Sequence, residues 1–182
     1  MIPEEYKPTL FDTIITAGEP SAWKGLERIV GSIIKDFNIN PKIALEFGVE
    51  YGFSTSALAH YFKDVVGVDT FRGDIHSGVR ESFFEKTKEN LKGFKNVTLV
   101  ESSWEDFAEK EIGMWDLIHI DIVHAYKDTY NCGAWACEHS RVVMFHDTES
   151  FPEVRKAVGD LAKRFGRKFY NYPFHNGLGI LA

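Results

Sequence analysis

Apolar and polar positions alternate between strand-like and helix-like patterns along most of this chain. Continuous apolar runs, which are typical of buried parallel strands, fall within residues 42–47, 64–71, 96–100, 115–126 and 141–145. Amphipathic helical spacing covers residues 21–37, the segment after Gly52, and residues 81–91, 126–137 and 151–165. The tail predicts two more strands, 168–172 and 177–181, joined by a turn at 173–176. The alternation predicts a three-layer, doubly wound, mostly parallel α/β sheet whose last strand is reversed.

Residues 1–20 interrupt this pattern. They hold three of the six prolines and little periodicity, so we expect an irregular N-terminal arm that could lie over the mouth of a site. Residues 21–182 are then expected to form one domain. A chain of 182 residues with 44% hydrophobic content has enough apolar material for a single core.

Charge and composition narrow the choice of partners. The formal net charge is -6 and the sequence has no cluster of Lys and Arg, which disfavours a nucleic-acid backbone and favours a small-molecule substrate. The N-terminus has no secretory pattern, and no apolar run approaches the ~20 residues of a membrane span. We therefore expect a cytoplasmic protein that does not bind membranes. The sequence leaves a homodimer open.

The segment KIALEFGVEYGFSTS, residues 42–56, predicts a strand, a glycine turn and the start of a helix. Gly48 and Gly52 lie where a reversing chain needs positive φ or where a ligand approaches the backbone. The spacing E-x-G-x-x-x-G matches neither the dinucleotide pattern nor the P-loop pattern, both of which bind phosphate. Because Glu46 is acidic, a ligand with a positively charged end is favoured. The alternative is an ordinary turn between a strand and a helix, with Ser54 and its neighbours capping the helix.

Polar side chains mark the carboxyl ends of the predicted strands, where ligands bind in open α/β sheets. Asp69 follows the glycine turn by about twenty residues, the position from which an acid accepts hydrogen bonds from ribose hydroxyls. Ser102 and Ser103 end the next strand and would lie near an adenine edge. The alternatives are a solvated strand-end carboxylate for Asp69 and a helix cap for one of the serines.

A second set of polar residues ends two strands that are neighbours in this winding: Asp121, His124, His146 and Asp147. Carboxylates and an imidazole in one cleft suit a divalent ion, Mg²⁺ or Mn²⁺, which would lower the pKa of a bound hydroxyl. His124 is then a candidate general base. The alternative is that both histidines are hydrogen-bonding residues and that Asp147 caps the helix beginning near Phe151.

The chain from about Ile43 to Ala182 resembles the methyltransferase domain 24 branch of the class I S-adenosylmethionine-dependent methyltransferases. The similar segments are LEFGVEYGFST, VDTFRGDIHSG, DLIHIDIVHAY, VVMFHDT and HNGLGIL. The resemblance implies a Rossmann-like seven-stranded sheet with one reversed strand. It also implies S-adenosylmethionine bound by Glu46, Gly48, Gly52, Ser54, Asp69, Thr70, Ser102, Ser103 and Asp121. In related metal-dependent O-methyltransferases the positions of Asp121, His146 and Asp147 hold Mg²⁺, and that of His124 is the base.

The resemblance predicts O-methylation of a hydroxyl on a small molecule, such as a sugar or a related metabolite. Three departures bear on metal and substrate: Ile122 stands where the family usually has glycine, Cys132 replaces an Asp, and Ser140-Arg141 replaces a glycine pair. Two alternatives therefore stay open. One is a binding module that keeps the cofactor without turnover, and the other is a nucleotide-dependent oxidoreductase, which the missing G-x-G-x-x-G disfavours. Phe11, Phe71, His76 and the loop 72–80 are candidate acceptor-lining positions.

Overall fold

The computed structural model describes residues 1–74, 78 and 81–182. Its described part contains one sheet of eight strands in the order β1-β7-β8-β6-β5-β2-β3-β4. The strands are β1 Glu4–Glu5, β2 Ile43–Phe47, β3 Asp64–Asp69, β4 Val97–Glu101, β5 Leu117–Ile120, β6 Val143–His146, β7 Phe169–Tyr172 and β8 Leu178–Leu181. All neighbours pair in parallel except at β8, which is antiparallel to β6 and β7. The predicted doubly wound sheet with a reversed last strand is confirmed.

Helices cover both faces of the sheet. They are α1 Val30–Asp36, α2 Phe53–Ala59, α3 Phe84–Leu91, α4 Trp104–Ala108, α5 Tyr126–His139 and α6 Pro152–Phe165. Successive side chains of a strand point to opposite faces, so each central strand contributes residues to a core on each side of the sheet. In β6, for example, Met144 packs in the core with α1 and α2, and Phe145 packs in the core with α5 and α6. The described helices lack the length and apolar character needed to cross a membrane.

The N-terminal arm supplies the strand that the sequence pattern did not predict. Glu4 and Glu5 pair in parallel with β7, which adds an eighth strand to the expected seven. Tyr6 is buried directly after this strand, and its hydroxyl donates to Asp36 at the end of α1 over 2.9 Å. A two-residue strand has no periodicity to detect, because its position is set by the edge it joins and by the residue that anchors it.

The first helix is shorter than the apolar spacing of residues 21–37 predicts. Residues 26–29 form a 3-10 turn and the α-helix begins only at Val30. Gly25 has φ of +106°, a left-handed conformation that a continuous right-handed helix cannot include. Most apolar residues of the segment, Trp23 among them, are nevertheless buried, and Ile34 and Phe37 are partly buried.

Candidate functional site

A cleft of about 780 Å³ opens at the carboxyl ends of the parallel strands. Its volume lies within the range of sites that bind small molecules and cofactors. The turns that follow β2, β3, β4, β5 and β6 all contribute to its wall. The end of the N-terminal arm also contributes, through Glu19 and Pro20, and the next two residues continue the rim. The sequence had placed candidate residues at these strand ends, and the structure brings most of them to one cavity.

Gly48 lies on the cleft wall in a left-handed conformation, with φ of +89°. A Cβ atom there would lie 1.8 Å from the carbonyl oxygen of Asp121, so only glycine fits. Gly52 also has positive φ, but it does not line the cleft. It precedes α2 and its missing side chain makes room for Leu91, because a Cβ would lie 2.7 Å from that side chain. Gly52 therefore shapes the turn and does not face the cleft.

Asp69 lines the cleft, but its carboxylate already holds the backbone of the glycine turn. Oδ2 accepts from the backbone N–H groups of Val49 and Glu50 over 2.8 and 2.9 Å. Oδ1 accepts from the N–H of Phe71 over 2.7 Å. A carboxylate has about four acceptor positions, so roughly one stays open on Oδ1 toward a ligand hydroxyl. Asp69 is thus both a support for the turn and a candidate ribose ligand.

Glu46 does not reach the cleft as the sequence suggested. Its side chain is fully buried on the α1 and α2 side of the sheet, where its oxygens accept hydrogen bonds from Thr55 and from His119 Nδ1. The indole N–H of Trp23 donates to His119 Nε2 over 2.7 Å. Since an indole only donates, His119 carries its proton on Nδ1 and Glu46 is the acceptor. The network supports the strand beneath the turn, and direct contact of Glu46 with the cofactor has no support in this geometry.

The remaining predicted cofactor residues line the cleft: Ser54, Thr70, Ser102 and Ser103. Ser103 also caps α4, because its hydroxyl accepts from the N–H of Asp106 over 3.1 Å. The cap that the sequence left open between two serines therefore belongs to Ser103. The hydroxyl of Ser102 donates to the backbone carbonyl of Ser103 over 3.0 Å.

Asp121, His124 and Asp147 meet on the wall of the cleft. One ligand atom from each lies within 4.8 Å of the others. His124 Nε2 is 2.7 Å from Asp147 Oδ2 and 3.6 Å from Asp121 Oδ1. Asp147 does not cap α6, as the alternative interpretation proposed, because the helix has no side-chain cap and the carboxylate faces His124. Two carboxylates and an imidazole are suitable donors for a divalent cation.

His146 stands behind this group and not in the cleft. Its side chain has no exposed surface, and it is absent from the cleft wall. Nδ1 lies 3.0 Å from Asp121 Oδ2, and Nε2 lies 3.4 Å from the backbone carbonyl of His175. The structure thus separates His146 from the ligand position at which the sequence placed it.

The charges of this cluster shift the titration of its members. Burial favours neutral His124, but the hydrogen bonds and charges of Asp121 and Asp147 outweigh it and raise the pKa of His124 to about 9. Burial likewise opposes ionisation of Asp121, yet His146 and His124 hold its pKa well below the usual range. Without another cation, His124 is therefore protonated at neutral pH and cannot act as a proton acceptor there.

Of the candidate acceptor-lining positions, Gly73 and Asp74 of the loop 72–80 join the cleft wall, whereas Phe11 and Phe71 do not. Phe71 is fully buried with Phe83, and Phe11 is half exposed near Arg28. His76 lies outside the described residues. No sequence pattern indicated that Phe151 stacks on His124, with ring centroids 4.1 Å apart, or that His119 and Trp23 form a network, because these contacts join distant parts of the chain.

Comparison with known proteins agrees with this geometry. The family model Methyltransf_24, described as a methyltransferase domain, matches residues 45–148, more than half of the chain. That range begins in β2 and ends after Asp147, so it includes the glycine turn and the cluster. A search of curated protein sequences found no significant match.

Several solved structures share the fold at low sequence identity. A protein provisionally described as a caffeoyl-CoA O-methyltransferase from Staphylococcus aureus has a TM-score of 0.68 and 17% identity, covering 91% of this chain and 85% of that chain. The O-methyltransferase TomG from Streptomyces achromogenes, in complex with S-adenosylmethionine, has a TM-score of 0.62 and 16% identity, with coverage of 91% and 90%. Methyltransferase PaMTH1 from Podospora anserina, bound to S-adenosylhomocysteine, has a TM-score of 0.57 and 15% identity, with coverage of 91% and 89%.

Proposed function

The chain belongs to the class I S-adenosylmethionine-dependent methyltransferases, and from that premise we propose that it transfers a methyl group to a hydroxyl on a small molecule. The observation that carries the proposal is that the Gly48 turn and the cluster of Asp121, His124 and Asp147 line one cleft. A methyl donor and a hydroxyl acceptor can therefore lie side by side in it.

The described residues fit the cofactor. Gly48 leaves its backbone open to the cleft, and Asp69 keeps one acceptor position beside Thr70 for a ribose hydroxyl. Ser102 and Ser103 follow β4, where an adenine edge would lie. S-adenosylmethionine supplies an electrophilic methyl group on its sulfonium. The part of the chain is to hold the acceptor oxygen in line with that methyl group, and such alignment can remove ~7–11 kcal/mol of barrier.

The acceptor end is expected at Asp121, His124 and Asp147, since these polar side chains follow β5 and β6, on the other side of β2 from Asp69. Ile122 and Phe151 supply apolar surface beside them. An aliphatic hydroxyl is a poor nucleophile while protonated, so the carboxylates must polarise it or help to hold a cation that does so. This requirement agrees with the predicted sugar or related metabolite.

The charge of the cleft argues against an anionic acceptor. None of the described residues on its wall is Lys or Arg, whereas Glu19, Glu50, Glu105 and Asp128 add acidic groups to it. Coenzyme A thioesters and nucleic acids carry phosphates, which proteins usually bind with Arg or Lys. We therefore do not extend the acyl-CoA acceptor named for the Staphylococcus aureus neighbour to this chain, and we propose a small acceptor without phosphate groups.

The test combines calorimetry with a turnover assay. We expect heat on titration with S-adenosylmethionine or S-adenosylhomocysteine, and formation of S-adenosylhomocysteine with a methylated product from a panel of sugars, polyols and catechols. Asp69→Asn should weaken S-adenosylhomocysteine binding by about tenfold or more, because its amide N–H group would face a backbone N–H. Asp64→Asn is the matched control, since Asp64 is exposed at the opposite end of the same strand.

The outcomes separate the two remaining functions. Absence of heat with both compounds would contradict the proposed cofactor site. Heat without turnover of any acceptor in the panel would favour the alternative of a binding module, which Ile122 and Cys132 suggested. Ile122 lies on the cleft wall, whereas Cys132 is buried in the core and does not line the cleft.

A further inference from the structure

We propose that a divalent transition-metal ion binds between Asp121, His124 and Asp147, and that His146 is a positioning residue for Asp121. This assignment exchanges the two histidines relative to the family arrangement, in which the position of His146 is a ligand and that of His124 is the base. The proposal concerns ion binding and does not require that methyl transfer occurs.

The orientation of His124 supports its role as a ligand. Nε2 faces both carboxylates, at 2.7 Å from Asp147 Oδ2 and 3.6 Å from Asp121 Oδ1. The ring is stacked on Phe151 with an angle of 10° between the planes, which holds it in this orientation. The side chain lies on the cleft wall with 16% of its surface exposed, while Nε2 itself is buried against the carboxylates. An ion would therefore enter past Asp121, whose side chain is 24% exposed.

The surroundings of His146 support the opposite role. Its side chain has no exposed surface, and its Nδ1 is 3.0 Å from Asp121 Oδ2 and 3.5 Å from Asp147 Oδ2. Nε2 faces the carbonyl of His175. The two oxygens of Asp121 therefore have different partners: Oδ2 faces His146 behind the wall, and Oδ1 faces His124 in the cleft. Ligating carboxylates are commonly held in this way by a residue outside the coordination sphere.

The backbone conformation of Asp147 also supports the ion site. Asp147 has φ of +62°, a left-handed conformation that is uncommon for residues other than glycine. Asp147 directly follows β6, which ends at His146. In this conformation its carboxylate faces His124 Nε2, and only 6% of the side chain is exposed. Such backbone conformations persist where the surrounding structure requires a particular side-chain position.

The donor set indicates the class of ion. Two carboxylates and one imidazole suit Mn²⁺, Fe²⁺, Co²⁺ or Zn²⁺, whereas Mg²⁺ and Ca²⁺ favour sites with oxygen ligands alone. A bound ion would lower the pKa of an acceptor hydroxyl. While Nε2 of His124 binds an ion, it cannot also accept a proton, so the roles of ligand and base exclude each other.

The test measures Mn²⁺ binding to the full-length protein by electron paramagnetic resonance and calorimetry. We expect the wild type to bind Mn²⁺ at least about tenfold more tightly than Mg²⁺, and pulsed measurements to show coupling to one imidazole nitrogen. His124→Ala should remove the nitrogen coupling and lower Mn²⁺ affinity by about 100-fold or more. His146→Gln can still donate to Asp121, so it should keep the coupling and lose about tenfold in affinity.

His60→Gln is the matched control, because His60 is exposed and bonds the backbone carbonyl of Ile15 away from the cleft. Circular dichroism and S-adenosylhomocysteine titration establish that each variant is folded, and the second measurement tests the cofactor site separately. Loss of the nitrogen coupling in His146→Gln and its retention in His124→Ala would overturn the assignment. Absence of Mn²⁺ binding to the wild type, or equal affinity for Mg²⁺, would overturn it as well.

Discussion

The backbone at Gly48 contacts the backbone of Asp121 so closely that no side chain fits between them. The turn after β2 and the turn after β5 therefore form one wall, on which Gly48 and Asp121 both line the cleft. The contact explains why a residue without a side chain is required here, independently of any direct contact with a ligand.

This contact makes Gly48→Ala a sharp test of the turn. The new Cβ would lie 1.8 Å from a carbonyl oxygen, and alanine disfavours φ of +89°. We expect the free energy of unfolding to fall by about 2–4 kcal/mol and S-adenosylhomocysteine binding to weaken by about 100-fold. Urea denaturation and calorimetry measure the two effects.

The control for that substitution is Gly93→Ala. A Cβ at Gly93 meets no atom within 4 Å, so this variant should retain both the stability and the affinity of the wild type. Normal S-adenosylhomocysteine affinity in Gly48→Ala would show that the turn tolerates a side chain and that the cleft wall is not built as described.

One edge of the sheet is formed by β1, a strand of only two residues. β1 pairs with β7 at only two positions, but Tyr6 directly follows it and links the arm to α1 through a hydrogen bond to Asp36. The Tyr6 hydroxyl contacts Ser32 and Asp36, and the Ser32 hydroxyl also accepts from the N–H of Thr9. The arm is therefore held by side-chain hydrogen bonds to a helix as much as by its backbone pairing.

Tyr6→Phe removes the hydroxyl from this element contact and keeps the ring. Hydrogen bonds to a charged group contribute more than neutral ones, so we expect unfolding in urea to show a loss of about 1–2 kcal/mol. Tyr170→Phe is the matched control, because within the described part of the chain its hydroxyl has no hydrogen-bond partner. Equal stability losses in the two variants would mean that the Tyr6 hydroxyl does not anchor the arm.

The fold concentrates ionisable groups from several strands at the carboxyl edge of the sheet. His124 and Asp147 come from different strand ends, and folding brings Asp147 Oδ2 within 2.7 Å of the His124 ring. A histidine whose pKa is raised by folding stabilises the folded state as long as it is protonated. The pKa of His124 is about 9 in the folded protein and ~6.5 for an unperturbed histidine.

The sign of the resulting pH dependence follows from these values. The contribution of His124 is fully present below about pH 6.5 and is lost as the pH rises through about 9. With chelator present, we expect the free energy of unfolding in urea to fall by about 1–3 kcal/mol between pH 6.5 and 9.5. His124→Asn should show a flatter profile over this interval. An equal decline in both proteins would assign the pH dependence to other groups.

Local sequence patterns predict the sheet and most of the residues at its carboxyl edge. Short apolar runs between amphipathic segments predict the doubly wound sheet, because burial on both faces of a strand leaves a signature in consecutive residues. The strand ends likewise identify Gly48, Asp69, Asp121 and Asp147, since the carboxyl ends of parallel strands share one edge. The family resemblance over residues 43–182 adds the cofactor to that edge.

The directions of the side chains at that edge were decided only by tertiary structure. Glu46 turns toward His119, and His146 turns toward Asp121 and the carbonyl of His175. These partners are distant in sequence, so no local pattern reports them. The strand β1 has the same origin, because its place depends on the exposed edge of β7. Local patterns therefore indicate which residues gather at the cleft, whereas long-range packing and hydrogen bonding set which of their side chains face it.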